Sequence, residues 1–118
     1  MRYRVYGISS CDTVRKACKW LDTHGIAYER VDLRKTPPTE ERVAGWVERL
    51  GSRAMRNTSG GSYRALPADK KEWSDEAWLG AFVADPMLLK RPIIERDGVA
   101  VGVGFRGSEE ELLARFLD

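Results

Sequence analysis

A strand, a helix and a second strand follow one another within the first 33 residues, and that order constrains the chain more than any other feature. Residues 3–7 (YRVYG) are short, rich in aromatic and β-branched types and closed by glycine, which reads as a buried strand. In the run 13–25 (TVRKACKWLDTHG), Val14, Ala17, Cys18 and Leu21 recur at helical spacing, and Gly25 supplies a stop. Residues 27–33 (AYERVDL) alternate as a strand does, with Tyr28, Arg30 and Asp32 opposite Ala27, Glu29, Val31 and Leu33. Two strands joined by one helix must run parallel, because only a crossover returns the chain to the same end of the sheet.

The rest of the chain adds helices first and a hairpin last. Thr36-Pro37-Pro38-Thr39 is a turn, and Thr39 caps the helix EERVAGWVERL, whose apolar stripe is Val43, Trp46, Val47 and Leu50. Residues 52–67 read as irregular. A helical pattern resumes over 74–84, and Asp85-Pro86 opens a short helix, PMLLK, since proline fits a first turn. Arg91-Pro92 then precedes IIER, Asp97-Gly98 and VAVGVGF, two apolar runs around the strongest hairpin dipeptide. SEEELLARFLD closes the chain as an amphipathic helix.

Composition narrows the function. Twenty basic against eighteen acidic residues, interspersed along each segment, leave a formal charge of +2, too even to point to nucleic acid. No apolar stretch is long enough to span a bilayer. The opening MRYRVYGISSC lacks the apolar run of a secretory leader, so a cytoplasmic location is expected. Two cysteines and one histidine fall short of the usual closed zinc site and of a disulfide scaffold, and no metal is expected. What remains is free-thiol chemistry in a reducing compartment.

Cys11 is the candidate nucleophile. It follows a strand directly and opens a helix, where the first backbone N–H groups lack intrahelical acceptors and the helix dipole is positive. That position favours a thiolate and can hold an anion beside it. Ser10, Cys11 or Asp12 could each sit at the helix cap, and Ser10, Asp12 and Thr13 are candidates to bind substrate there. Cys18 lies seven residues on, about 10 Å along the helix axis. That is beyond the Cα separation a disulfide accepts, so Cys18 reads as a core residue, with a resolving thiol reached by local melting as the alternative. Arg91 stands before a proline that opens a strand, and the 53–64 loop, with Arg53, Arg56 and Arg64 among small residues, suits oxyanions or is simply solvated. His24 suits the C-terminal end of its helix, and the four tryptophans suit core or interface.

The segment YGISSCDTVRKACKWLDTHGIAYERVDLRKTPP, together with KRPIIERDGVAVGVGF, resembles the arsenate reductase (ArsC)/Spx superfamily over nearly the whole chain. The YffB-like branch, which shares the Cys-Asp-Thr helix start, is nearest. The resemblance implies an α/β, thioredoxin-like fold of glutaredoxin type. It would have a four-stranded mixed sheet and a single domain, with residues 1–35 and 86–118 as core and 36–85 as a helical insertion between strands 2 and 3. It implies that Cys11 is the nucleophile, that Arg91 binds the oxyanion and that Pro92 is a cis-proline. Spx regulators carry Cys-x-x-Cys where this chain has Cys11-Asp12-Thr13-Val14, so their local disulfide switch is missing. Arg56 stands in for a middle-loop arginine, and Arg106 is the nearest match to a third.

The expectation is therefore a glutathione-dependent thiol oxidoreductase acting on a disulfide or an oxyanion. It would use no bound cofactor, with glutathione as co-substrate and glutathione or glutaredoxin as partner. The alternatives are a true arsenate reductase and a Spx-like module that binds transcription machinery.

Overall fold

The computed structural model describes residues 2–118. Four strands form one mixed sheet in the order β2-β1-β3-β4. The segments β1 (Tyr3–Gly7), α1 (Asp12–Thr23) and β2 (Tyr28–Asp32) make the parallel βαβ unit, with Tyr3 opposite Tyr28 and Gly7 opposite Asp32. The helix ends where Gly25 takes a φ of 67°, the left-handed region in which a residue without Cβ carries no steric penalty. Strand β3 (Ile93–Arg96) lies antiparallel to β1, and β4 (Val99–Val103) lies antiparallel to β3. Asp97 and Gly98, at φ 53° and 81°, turn the hairpin, since a two-residue turn matching strand twist needs positive φ at both centres.

The insertion between β2 and β3 holds α2 (Glu40–Leu50), α3 (Ser52–Met55), α4 (Gly61–Arg64), a 3-10 turn at Ala68–Glu72 and α5 (Asp75–Ala84). The stretch 52–67, read from its glycines and serines as irregular, thus contains two single helical turns. It is tied down by tertiary bonds that no local pattern announces. Lys90 N–H donates to Met55 O at 2.7 Å, Asn57 N–H donates to Leu88 O at 2.8 Å, and Arg56 bridges Leu89. The expected helix over PMLLK is shorter, a 3-10 turn at Pro86–Leu88 capped by Asp85 Oδ1, because Leu89 leaves it to pair with Arg56. Helix α6 (Glu109–Phe116) closes the chain behind a Ser108/Glu111 capping box.

The sheet separates two cores, as a sheet apolar on both faces requires. On one face α1 and α6 bury Val14, Ala17, Cys18, Leu21, Leu112 and Phe116 against Tyr3, Val5 and Ile94. On the other, the insertion buries Val43, Trp46, Trp78 and Phe82 against Tyr6, Ile93 and Ala100. Gly7 lets α1 lie close on β1: a Cβ there would come within 2.5 Å of Val14. That close approach sets the first turn of α1, and hence Cys11, at the C-terminal end of β1.

Candidate active site

Tyr6 pairs with Ile93, so the chain leaving β1 toward Cys11 and the chain entering β3 from Arg91 meet at the same end of the sheet. Strands β1 and β2 end there, and β4 finishes there, where Gly104 N–H donates to Pro92 O at 2.8 Å. The Arg91-Pro92 peptide is cis.

Cys11 is half-buried and is the cap residue of α1, with extended backbone (φ −89°, ψ 121°) and no side-chain hydrogen bond to the helix. Among the described helices of eight residues or more, α2, α5 and α6 are capped by Thr39, Ser74 and Ser108, each accepting from a first-turn N–H. Helix α1 alone in that group presents its opening N–H groups uncapped, beside a sulfur. Of the flanking candidates, Ser10 is an exposed turn residue and Thr13 is half-buried. The Asp12 carboxylate is ion-paired with Arg15 one turn on, so what Asp12 offers a ligand is its backbone N–H.

Arg91 is half-buried and anchored by one terminal nitrogen. Nη1 donates to Leu89 O at 3.0 Å and Met87 O at 3.3 Å, while Nε is buried with no acceptor and Nη2 makes none of these bonds. The Arg56 backbone bridges Leu89, two residues before Arg91, while its side chain turns into the insertion. Its Nη2 donates to Ser52 Oγ at 3.0 Å, its guanidinium lies 4.4 Å from the Trp78 ring centre, and its Nε is again buried without an acceptor. Burial, then the neighbouring charge of Arg53, lowers its pKa from the ordinary arginine value. Arg106 is exposed, and its carbonyl accepts from Arg115 Nη1.

Cys18 is 6% exposed in the α1 core, and burial pushes its thiol pKa up. His24 caps the other end of α1, with Nε2 2.8 Å from Glu109 Oε1. Among the described residues no His/Cys/Asp/Glu cluster could hold a metal, and no helix is long and apolar enough to cross a membrane.

Sequence reasoning missed one polar centre. Glu95, on β3, is 1% exposed. Its Oε1 accepts from Tyr6 OH at 3.0 Å and its Oε2 from Trp46 Nε1 at 2.7 Å, while Arg42 Nη1 donates to both at 2.8 Å. The only local signal was a glutamate in a strand otherwise buried on both faces.

This sheet, with helices on both faces and a cysteine at the first strand-to-helix junction, defines a thioredoxin-like protein. More narrowly, the chain belongs to the ArsC family, whose model matches residues 6–114. It is 35% identical over 115 residues to the uncharacterized protein YusI of Bacillus subtilis, covering 94% of this chain and 97% of that one. It is 30% identical to an arsenate reductase of Neisseria meningitidis (82% and 86% covered) and 29% identical to the global transcriptional regulator Spx of Lactiplantibacillus plantarum (96% and 84%). The solved structure of a YffB protein superposes with a TM-score of 0.83 at 31% identity, over 98% of this chain and 99% of that one. The chain is thus related both to arsenate reductases and to Spx regulators.

Proposed function

We infer that this chain is a glutathione-dependent thiol oxidoreductase in which Cys11 is the nucleophile. The observation that carries the reading is the uncapped start of α1. In α2, α5 and α6 a hydroxyl satisfies the first turn, whereas here those N–H groups face a sulfur or whatever anion the sulfur meets. Cys18, buried and two turns away, does not serve as a resolving partner, so an external thiol must.

On a glutathionyl mixed disulfide the Cys11 thiolate attacks the glutathione sulfur. One S–S bond forms, the substrate S–S bond breaks, and the product thiolate leaves and takes a proton from solvent. A second glutathione thiolate then attacks the Cys11 adduct, releasing oxidised glutathione and restoring Cys11. Across the cycle, one mixed disulfide and one glutathione thiol become the product thiol and oxidised glutathione, one disulfide exchanged for another, with no bound cofactor. Arg91, through Nη2 and Nε, binds the anionic end of the substrate. The N–H groups of Asp12 and Thr13, with the Ser10 hydroxyl, line the sulfur, and Arg56 adds a second cation.

A second substrate, arsenate, is favoured by the Nε atoms of Arg91 and Arg56, each buried without an acceptor and each a donor suited to an oxyanion. The test is anaerobic turnover with glutathione, run in parallel on a glutathionylated peptide and on arsenate, with mass spectrometry of the quenched enzyme. Turnover with a glutathionyl adduct on Cys11, both lost in Cys11→Ser, is the expected result. Turnover of arsenate alone moves the chain to the arsenate reductases. No turnover of either by the wild type, with regulatory phenotype retained by Cys11→Ser, overturns the enzyme reading in favour of a Spx-like binding module.

A further inference from the structure

The two carbonyls that hold Arg91 belong to a stretch of chain that the sheet does not hold. Arg91 Nη1 donates to Met87 O and to Leu89 O, so the direction of the free guanidinium edge follows the path of residues 87–89. Strand β3 begins only at Ile93. Before it, Pro86–Leu88 is a single 3-10 turn, and Leu89 belongs to an isolated bridge with Arg56. The support comes from residues 55–57. Lys90 N–H donates to Met55 O at 2.7 Å and Asn57 N–H to Leu88 O at 2.8 Å, which fixes the backbone from Leu88 to Lys90. The Met87 carbonyl is held differently, by two side chains. It accepts from Arg91 Nη1 at 3.3 Å and from Asn57 Nδ2 at 3.4 Å.

We propose that Asn57 is a positioning residue for the Cys11 reaction: its amide occupies one lone pair of the Met87 carbonyl and keeps the other aimed at Arg91. The role rests on the reading of Arg91 as the group that binds the anionic end of the substrate. A carbonyl oxygen has two lone pairs, so the two donors share it without competing. Gly60 supplies an independent observation. Its backbone, at φ −83° and ψ 157°, is one that any residue adopts, so conformation does not call for glycine. Room does. A Cβ there would stand 2.8 Å from Asn57 Nδ2 and 3.4 Å from its Cγ. An alanine in its place must push the amide off the Met87 carbonyl, while the Asn57 N–H keeps its bond to Leu88. The glycine of this loop is thus the seat of the Asn57 side chain.

The test is kinetics of the full chain on a glutathionylated peptide, for wild type, Asn57→Ala, Gly60→Ala, Arg91→Ala and the double variant Asn57→Ala/Arg91→Ala. Asn57→Ala and Gly60→Ala should each lower kcat/KM about three- to tenfold, the size of one neutral hydrogen bond, with unchanged far-UV spectra. In the Arg91→Ala background, Asn57→Ala should change it less than about twofold, because a residue that acts through Arg91 has nothing left to position. The Arg91 Nε–H resonance in a nitrogen–proton correlation spectrum, assigned by its absence in Arg91→Ala, should move in both Asn57→Ala and Gly60→Ala. That resonance is read whether or not the protein turns substrate over. A wild type without turnover therefore removes the reaction, and the resonance still decides whether Asn57 governs Arg91. Losses that multiply in the double variant, or an Arg91 resonance unmoved by Asn57→Ala and Gly60→Ala, make Asn57 a residue of the loop alone and overturn the proposal.

Discussion

Two groups of polar side chains lie partly or wholly out of water in this molecule, and they are in opposite states. Around Glu95 every strong group is used: each carboxylate oxygen accepts two hydrogen bonds, from Tyr6, Trp46 and Arg42. Around Arg91 and Arg56 the anchoring nitrogens are used and the Nε atoms are not. Arg4 Nε also lacks an aligned acceptor, but the Glu29 carboxylate lies 3.2 Å from it and answers its charge. A satisfied buried network holds elements together. An unsatisfied one costs stability until something binds. The first couples α2 to β1 and β3, and of the second Arg91 stands at the end of the sheet where Cys11 is.

The largest effect expected from this difference is on stability at Glu95. Glu95→Ala strands the Arg42 guanidinium, the Trp46 indole N–H and the Tyr6 hydroxyl together. Breaking a buried pair in this way costs about 3–5 kcal/mol. Urea denaturation should show that loss, while the fraction still folded keeps its Cys11 turnover. A loss under 1 kcal/mol would mean the network contributes little, and the contrast between the two groups would collapse.

Arg91→Ala should do the reverse. It removes a donor set that the fold does not fully use, so stability should change by about 1 kcal/mol or less. The kcat/KM for a glutathionyl substrate should fall about 10–100-fold, the worth of a hydrogen bond to a charged group. Arg91→Lys should recover only part of it, since an ammonium keeps the charge without the planar fork. Equal losses in stability and in kcat/KM would make Arg91 a structural residue like Arg42.

Tyr6→Phe probes the Glu95 group more gently, at about 1–2 kcal/mol. It also carries a pH signature. Burial, with the neighbouring Glu95 carboxylate, raises the Tyr6 pKa above its ordinary value. A raised folded-state pKa gives stability that is fully present below the unfolded value near 10 and is lost as pH rises through the folded value. Wild-type stability should therefore fall above about pH 10 more steeply than that of Tyr6→Phe. Parallel curves would show that Tyr6 does not feel Glu95.

These two groups also mark what could be read from the residues alone. The βαβ unit, the Asp97-Gly98 hairpin and the cap position of Cys11 were legible because each rests on neighbours within a few residues. The Glu95 group was not. IIER reads as an apolar run that ends in charges, and the partners that hold its glutamate inward come from β1 and from α2, about fifty residues away, under the cover of an insertion. The anchoring of 52–67 was hidden for the same reason, since its hydrogen bonds run to residues 88–90. Glycines and serines announce a turn, but not what the turn rests against.

The smallest effect concerns the two cysteines, which sit on one helix in environments as different as the two polar groups. Cys18 is packed among Val14, Ala17 and Leu21, and its thiol pKa is raised by burial, so at neutral pH it is a protonated core side chain. Cys18→Ala removes one buried sulfur and should cost about 1 kcal/mol, the size of a small core truncation. Turnover with glutathione should be unchanged within about twofold, because the external thiol resolves the Cys11 adduct. If instead Cys18→Ala makes the Cys11 adduct accumulate, α1 must unwind during the cycle to bring Cys18 to Cys11. Both thiols would then belong to the site, and the uncapped first turn would be the place where that helix opens.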